Sequence, residues 1–387
     1  MVHSFIKKEQ QSLFQSSVQL AKQFAQRADT IDETGKFPFE NFADLKDANY
    51  LSLTVPKKFG GEGLTLYDML VVQEQIARGD GATGLSLGWH LGIVLELAEN
   101  NMWEPKTFAS MCEKIVNDQA LINRAATEPA TGSPTRGGMP QTTAVKEGNE
   151  WVINGRKTFT SMAPALDYSL VTARIDNTEE KGVFLIDHRQ EGIRIEETWN
   201  TISMRGTRSD DLVLEHVRVE ASALVEDQDT LANNTTPKAW LLHIPACYLG
   251  IATAARDYAI KFASEYKPNS LPGPIKEVPE VQRKIGEMEL ELFKARQMLY
   301  GVAARWEDQP DRRVEMAGEL GAVKHIVTNS ANTIVDLAMR IVGARSLASN
   351  NPLQRYYRDI RAGLHNPPMD DIVISSLAKQ ALVDFNG

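Results

Sequence analysis

The sequence predicts a multidomain α+β fold in which a small β-barrel separates two helical domains. Helical periodicity at both ends of the chain and short alternating apolar runs between them carry this prediction. At 387 residues the chain is long enough for two or three packed domains. We therefore expect an N-terminal helical domain at 1–120, a middle β-barrel domain at 121–232 and a C-terminal four-helix bundle at 233–387.

The N-terminal region has the pattern of amphipathic helices. Phe14, Val18, Ala21 and Ala25 recur at helical spacing and form one apolar stripe. The segment VPKKFGGEGLTLYD (55–68) is predicted to be a glycine-rich turn, and its Thr65 is suited to cap the next helix.

The middle region changes character near residue 121. The runs EWVINGRKTFTS, DYSLVTARI, KGVFLIDH and DLVLEHVRV alternate in polarity between Gly, Asn and Asp turns, as antiparallel strands do. Asn154-Gly155 predicts a hairpin turn between two strands. On the second of these strands, alternation would bring Phe159 and Ser161 to one face.

The chain returns to helical periodicity after Pro237. Its clearest apolar stripe consists of Ile285, Met288, Leu292, Ala295 and Leu299.

Composition excludes several classes of protein. A formal net charge of −9 argues against nucleic acid as the main partner. The start lacks the apolar core of a signal peptide, and the chain has no apolar run long enough for a membrane span, so we expect a cytoplasmic protein without a membrane anchor. Cys112 and Cys247 are predicted to be buried thiols, and no residues have metal-ligand spacing.

The loop NRAATEPATGSPTRGG (123–138) places hydroxyls and accessible backbone N–H groups on a tight turn. Such a loop can bond a polar heterocycle and accept a phosphate, although a plain surface loop would have the same composition. This loop, the strands at 151–163 and MRGTRSDDLVLEHVRV (204–219), together with FGGEGLTLYD and RYYRDIR, resemble the acyl-CoA dehydrogenase superfamily in order and spacing.

The resemblance implies a flavin held between the barrel and the C-terminal helices of a homo-oligomer, a tetramer or a dimer. It implies that Thr127 bonds the pyrimidine edge of the flavin and that Gly132 and Ser133 lie near the cofactor phosphate. It also implies that Phe159 covers the face of the flavin ring and that Ser161 bonds its N5 edge. All four side chains could instead be barrel packing and turn residues. FAD is the implied cofactor, and FMN is the alternative because the glycine-rich run that cradles the pyrophosphate is only partly kept, at Gly343.

The chain departs from the family where the catalytic base belongs. Acyl-CoA dehydrogenation needs a carboxylate to remove the α-proton. After the RD-x-R segment, where most relatives have that Glu, this chain has Leu364-His365-Asn366-Pro367-Pro368, and the second family position of the base falls on Trp240.

Two histidines are therefore the candidate catalytic residues. His365 resembles the His of the superfamily's flavin-dependent monooxygenases, and an imidazole can transfer a proton at neutral pH; a helix-capping role is the alternative. His90, on an apolar helix expected to line the substrate pocket, is either catalytic or structural. Asp370 and Asp371 would either replace the missing Glu or begin the last helix.

Three functions follow. The first is an acyl-CoA dehydrogenase that passes electrons to an electron-transfer flavoprotein. The second is a two-component monooxygenase that takes reduced flavin from a flavin reductase and oxygenates an aromatic or sulfur-containing small molecule. The third is a non-catalytic protein that binds flavin or acyl-CoA. The superfamily's predominant reaction places the dehydrogenase first, although fold alone does not fix function.

Overall fold

The computed structural model describes residues 5–131 and 137–386, and it confirms the predicted order of helices, sheet and helices. The first helices are α1 (Gln11–Thr34), α2 (Phe39–Asp47), α3 (Leu66–Gly79), α4 (Gly81–Asn100) and α5 (Pro105–Asp118). The strands are β1 (Ile122–Ala125), β2 (Thr143–Glu147), β3 (Glu150–Lys157), β4 (Tyr168–Ile175), β5 (Lys181–Asp187), β6 (Ile193–Glu196), β7 (Asp211–Glu220) and β8 (Leu224–Glu226). The remaining helices are α6 (Gln228–Asn233), α7 (His243–Glu265), α8 (Pro279–Asp308), α9 (Ala317–Val342), α10 (Pro352–Ala362) and α11 (Asp370–Asn386).

The two helical regions share one hydrophobic core. Helices α3, α4 and α7 are buried along most of their length, because they lie between the outer helices of both regions. Thr65 caps α3 as predicted: its hydroxyl accepts from the Asp68 amide, and the Asp68 carboxylate accepts from the Thr65 amide. The predicted stripe on α8 faces this core, with Met288, Leu292, Ala295 and Leu299 buried. None of the described helices is long and apolar enough to cross a bilayer.

The strands form one sheet with a core of its own. Its order is β6-β7-β3-β2-β4-β5-β8, with β1 added beside β4. The pairs β1–β4 and β2–β4 are parallel, and the other pairs are antiparallel. Trp151, Phe184 and Leu214 are buried on the inner face. The sheet thus packs independently and presents its loops to the helices.

The hairpin predicted at Asn154-Gly155 is wrong. β3 continues through both residues, and its register with β7 shifts between Ile153 and Gly155. A Cβ on Gly155 would lie 2.3 Å from Thr142 Oγ1, so glycine is required by a neighbouring segment and not by a turn. The Asn154 side chain accepts the amide of His216, which completes a bulge. β3 therefore ends at Lys157, and Phe159 and Ser161 belong to the turn that follows.

Candidate functional site

A cleft of about 820 Å³ lies where the barrel loops meet α4, α7 and the turn after α10. Trp89 of α4, Tyr248 of α7 and His365 of the turn contribute to its walls. Thr127, Phe159 and Ser161, far apart in sequence from these, line the same cleft. Gly132 and Ser133 lie outside the described residues. The structure thus brings five separate segments to one cavity of ligand-binding size.

Phe159 is an exposed aromatic platform in this cleft. The side chain is 63% exposed, its backbone has φ of +55°, and its ring meets Trp199 edge-on at 5.7 Å between centroids. A left-handed conformation is uncommon for a bulky residue and is retained where surrounding structure enforces it. An exposed aromatic ring that lines the cavity in this way is suited to pack against a planar ring system such as a flavin.

Ser161 belongs to a row of hydroxyls beside that platform. Its Oγ lies 2.9 Å from Ser209 Oγ, and Ser209 Oγ lies 2.9 Å from Thr207 Oγ1. The Thr207 hydroxyl donates to the Met204 carbonyl at 2.9 Å. Each hydroxyl has a single proton, so Ser209 then donates to Thr207, and Ser161 donates to Ser209. Ser161 is left to act as an acceptor toward the cleft.

The loop that carries Thr127 is anchored by a buried ion pair. Lys157 Nζ donates to Glu128 Oε1 at 2.5 Å, and both side chains are almost wholly buried. Glu128 also accepts the amides of Gln141 and Thr142 at 2.6 and 3.1 Å. Burial acts to raise the pKa of Glu128, but the hydrogen bond and charge of Lys157, together with the hydrogen bonds from Thr142 and Gln141, lower that pKa overall. The carboxylate is therefore ionised and structural, and it fixes the loop beside Phe159.

His365 is exposed to the cleft. Its amide donates to the Ala362 carbonyl at 2.9 Å, which continues the end of α10, while no hydrogen bond or ion pair to its ring occurs within the described residues. The neighbouring Asn366 is held by the hydroxyl of buried Tyr248 at 2.6 Å. The backbone around His365 is thus fixed while the imidazole remains available to a ligand.

His90 does not line the cleft, although Leu85 and Trp89 of the same helix do. Its Nε2 donates to the Leu51 carbonyl at 2.8 Å, and its Nδ1 accepts the Ile122 amide at 3.2 Å. Burial lowers the pKa of His90 to about 4. Its helix does line the pocket as expected, but a buried apolar helix exposes only part of its surface to a cavity, so the burial of His90 favours the structural one of the two roles left open for it. Its geometry is that of a neutral histidine tying α4 to β1.

The carboxylates that line the cleft among the described residues are Glu128 and Glu226. Glu226 accepts two hydrogen bonds from Arg124, at 2.8 and 3.1 Å, and one from the Trp103 indole at 3.2 Å. Each lining carboxylate is therefore paired with a cation. Sequence reasoning missed both pairs, since nothing local marks partners this distant in the chain.

Neither of the acids considered as replacement bases lines the cleft. Asp370 begins α11, where its Oδ2 accepts from Asn329 at 3.0 Å.

Trp240, at the other family position of the base, presents an indole to the cavity. It packs on Gly92, where a Cβ would lie 2.6 Å from its ring. Gly343 lies at the exposed end of α9 with φ of +70°, outside the cleft of its own chain.

Asp359 connects α10 to the barrel, and its replacement should loosen the wall that carries His365. Its Oδ1 accepts the Met204 amide at 2.6 Å, and burial raises the pKa of Asp359 to about 7. Asp359→Ala should cost about 1–3 kcal/mol, since it leaves that amide without its partner. Asp359→Asn keeps the acceptor and should cost little.

The pH dependence of the Asp359 variants checks this assignment. A raised native pKa means that the wild type loses stability as pH rises from 4 to 7, whereas the Asn variant does not share that loss. Between pH 4 and pH 7, the free energy of unfolding of Asp359→Asn should therefore rise by on the order of 2–4 kcal/mol relative to that of wild type. Urea unfolding midpoints at pH 5 and pH 8 measure the change; a constant difference would contradict it.

The chain is similar to known proteins along most of its length. The models of the acyl-CoA dehydrogenase N-terminal, middle and C-terminal domains match residues 7–101, 123–217 and 242–366. "Putative acyl-CoA dehydrogenase YdbM" of Bacillus subtilis (strain 168) is 55% identical over 97% of this chain and 98% of its own. Two solved structures are similar in fold, each with a TM-score of 0.84.

One of these structures is methanesulfinate monooxygenase MsuC from Pseudomonas fluorescens, 22% identical over 96% of this chain and 97% of that chain. The other is butyryl-CoA dehydrogenase from Megasphaera elsdenii, 18% identical over 95% of this chain and 98% of that chain. Their equal likeness establishes the fold and does not separate the two reactions. With three successive domain matches and a 55% identical relative covered almost throughout, the chain belongs to the acyl-CoA dehydrogenase family.

Proposed function

We propose that this protein is a reduced-flavin-dependent monooxygenase acting on a small aromatic or sulfur-containing molecule. One observation carries the proposal: the described cleft offers an exposed imidazole at His365, while both lining carboxylates are paired with cations. The family resemblance implies a carboxylate as the base that removes the α-proton of an acyl thioester, and the described lining of the cleft offers no unpaired carboxylate for that role. We thus rank oxygenation before dehydrogenation, whereas the reaction that predominates in the superfamily had placed dehydrogenation first.

The residues around the platform fit a flavin, and the hydroxyl row favours its reduced form. Phe159 offers its ring to one flavin face, and Thr127 lies on the anchored loop beside it. Ser161 acts as an acceptor toward the cleft, which suits an N5 position that carries a proton. When bound, the reduced flavin would supply the electrons and the oxygen-transfer chemistry.

His365 is proposed to move a proton at the substrate. His365, Trp89 and Trp240 line the same cavity, so a small aromatic or sulfur compound held against these indoles would share that cavity with the imidazole. The imidazole can accept a proton from an acidic O–H, N–H or S–H of that substrate and later return it. Asn366 and Tyr248 keep the turn in place during the exchange.

The preference for reduced flavin gives a test that needs no substrate. Full-length protein is titrated anaerobically with FMN and FAD, each oxidised and photoreduced, and binding is followed by flavin fluorescence and absorbance. We expect the reduced form of one flavin to bind at least tenfold more tightly than its oxidised form, a difference of about 1.4 kcal/mol. Equal or tighter binding of oxidised FAD would contradict the proposal.

The second candidate is an acyl-CoA dehydrogenase whose redox partner is an electron-transfer flavoprotein. It is favoured by the name of the 55% identical relative, YdbM. The monooxygenase proposal instead implies a flavin reductase as partner. Tighter binding of reduced flavin would favour the monooxygenase, and equal or tighter binding of oxidised FAD would favour the dehydrogenase.

We also propose that the chain forms a homo-oligomer, a tetramer or a dimer. Large apolar side chains are exposed on two C-terminal helices: Leu290, Phe293 and Met298 on α8, and Ile374, Leu377, Val383 and Phe385 on α11. Exposed apolar surface of this extent is typical of an interface. Sedimentation at micromolar concentration should give an assembly that Phe293→Glu weakens. Lys261→Glu, at an exposed position of α7, is the control, and a wild-type monomer would rule this out.

A further inference from the structure

A second cavity of about 250 Å³ lies beside the cleft. It is formed by the segment 237–242 before α7, the first turns of α9 and Pro368. Its walls are apolar, with Leu241 and Leu320 among them, apart from two lysines, Lys238 and Lys324. Lys238 and Leu241 also face the cleft, so they form the partition between the two cavities.

Lys324 is a buried ammonium without a hydrogen-bond partner among the described residues. Its side chain is 2% exposed, and its nearest carboxylate oxygen, Asp370 Oδ1, is 3.8 Å away, beyond hydrogen-bond length. The Asp370 carboxylate completes no hydrogen bond with Lys324: its Oδ2 accepts from Asn329, and its Oδ1 is at ion-pair distance from both Lys324 and His325, 3.8 and 3.1 Å away. Three unused N–H donors in an apolar setting are costly to bury. A ligand that accepts them would offset that cost.

We propose that this cavity is a binding site for a short-chain carboxylate, whose carboxylate accepts hydrogen bonds from Lys324 and whose alkyl chain contacts the apolar walls. A charge-assisted pair is the strongest contact that an ammonium can make in such a setting. The volume corresponds to about eight water molecules, which suits a ligand of a few carbons. Lys238, half exposed and 3.7 Å from Glu96 Oε1, adds positive charge at the partition.

The protonation of Lys324 gives the site a pH signature. Burial lowers the pKa of Lys324 to about 8, and the charge of Asp370 opposes the shift. The charged and titratable groups facing it are Asp370 from α11, His325 from its own helix and Lys238 from the segment before α7. Carboxylate binding should therefore weaken as pH rises through 8, because the ammonium loses its proton.

The test uses butyrate and its neutral isostere butyramide as probes, with calorimetric titration of the full-length protein at pH 7 and pH 9. Lys324→Met removes the ammonium at similar length. The acid it leaves behind, Asp370, is 30% exposed and keeps the hydrogen bond from Asn329, so the variant creates no fully buried unpaired charge and should fold. Lys261→Met, at an exposed position on α7, is the matched control.

Wild type and Lys261→Met should bind butyrate at pH 7 with equal affinity, and Lys324→Met at least tenfold more weakly. Wild type should bind butyrate about tenfold more weakly at pH 9 and butyramide at least tenfold more weakly at pH 7. Butyrate affinity unchanged in Lys324→Met, equal affinity for butyramide, or no binding to wild type would each overturn the site. Should Lys324→Met fail to fold, the wild-type pH profile decides, and a flat profile overturns the proposal.

Discussion

His365→Gln should lose about 10²–10⁴-fold in turnover while keeping flavin affinity and thermal stability, the range typical of removing a general acid–base. Glutamine retains the size and hydrogen-bonding capacity of the side chain but cannot carry the proton. Because no hydrogen bond or ion pair to the ring occurs within the described residues, its replacement removes none there. Single-turnover oxidation of reduced flavin with substrate, followed by product formation, measures the loss.

Asp370→Asn and Asp371→Asn are the controls for His365. Asp370 is held by Asn329 outside the cleft, so its amide should leave turnover within a few-fold of wild type. Full activity in His365→Gln together with an inactive Asp variant would show that His365 only ends α10 and that an acid of the last helix is the base.

Lys157→Met should destabilise the protein by about 3–5 kcal/mol, because it leaves Glu128 as an uncompensated buried carboxylate. The loop carrying Thr127 should loosen with it, so flavin affinity should also fall. Without Lys157, burial should raise the pKa of Glu128, and the loss should shrink as pH falls and that group is protonated. Thermal and urea unfolding at pH 5 and pH 8 measure both effects.

The double variant Lys157→Met/Glu128→Gln gives the sharper control. It removes both charges and keeps an oxygen for one of the two amides, because Gln141 and Thr142 donate to different oxygens of Glu128. One unpaired amide should cost less than a buried unpaired carboxylate, so the double variant should be more stable than Lys157→Met at pH 8. Lys106→Met, at an exposed site, should be close to wild type. A double variant less stable than the single one would contradict a charge-burial origin of the loss.

The fold could be predicted from sequence because helical stripes, capping and strand alternation are local signals. Thr65 and the α8 stripe are examples, since each is specified within a few residues. The hairpin prediction failed because the glycine at 155 is required by Thr142, a contact that the local Asn-Gly signal cannot reveal. The orientation of His90 could not be predicted for a related reason: the periodicity of an apolar helix gives no direction for a single ring.

The site was partly predictable for the same reason. Thr127, Phe159, Ser161 and His365 were found through motifs, and the structure places them on one cleft. The supporting pairs were invisible, since Lys157 lies 29 residues from Glu128 and Arg124 lies 102 residues from Glu226. The tertiary fold brings the two members of each pair together, and as a result both described carboxylates of the cleft are paired with cations.

We propose, as our main conclusion, that the cleft, whose described carboxylates are both paired with cations, serves oxygen chemistry with reduced flavin. Anaerobic mixing of the FAD-loaded protein with acyl-CoA thioesters of several chain lengths tests it most directly, with flavin absorbance as the signal. We predict no bleaching at any chain length, with flavin oxidation and product formation only when reduced flavin and oxygen are supplied. Rapid bleaching by an acyl-CoA would contradict the account and establish dehydrogenation.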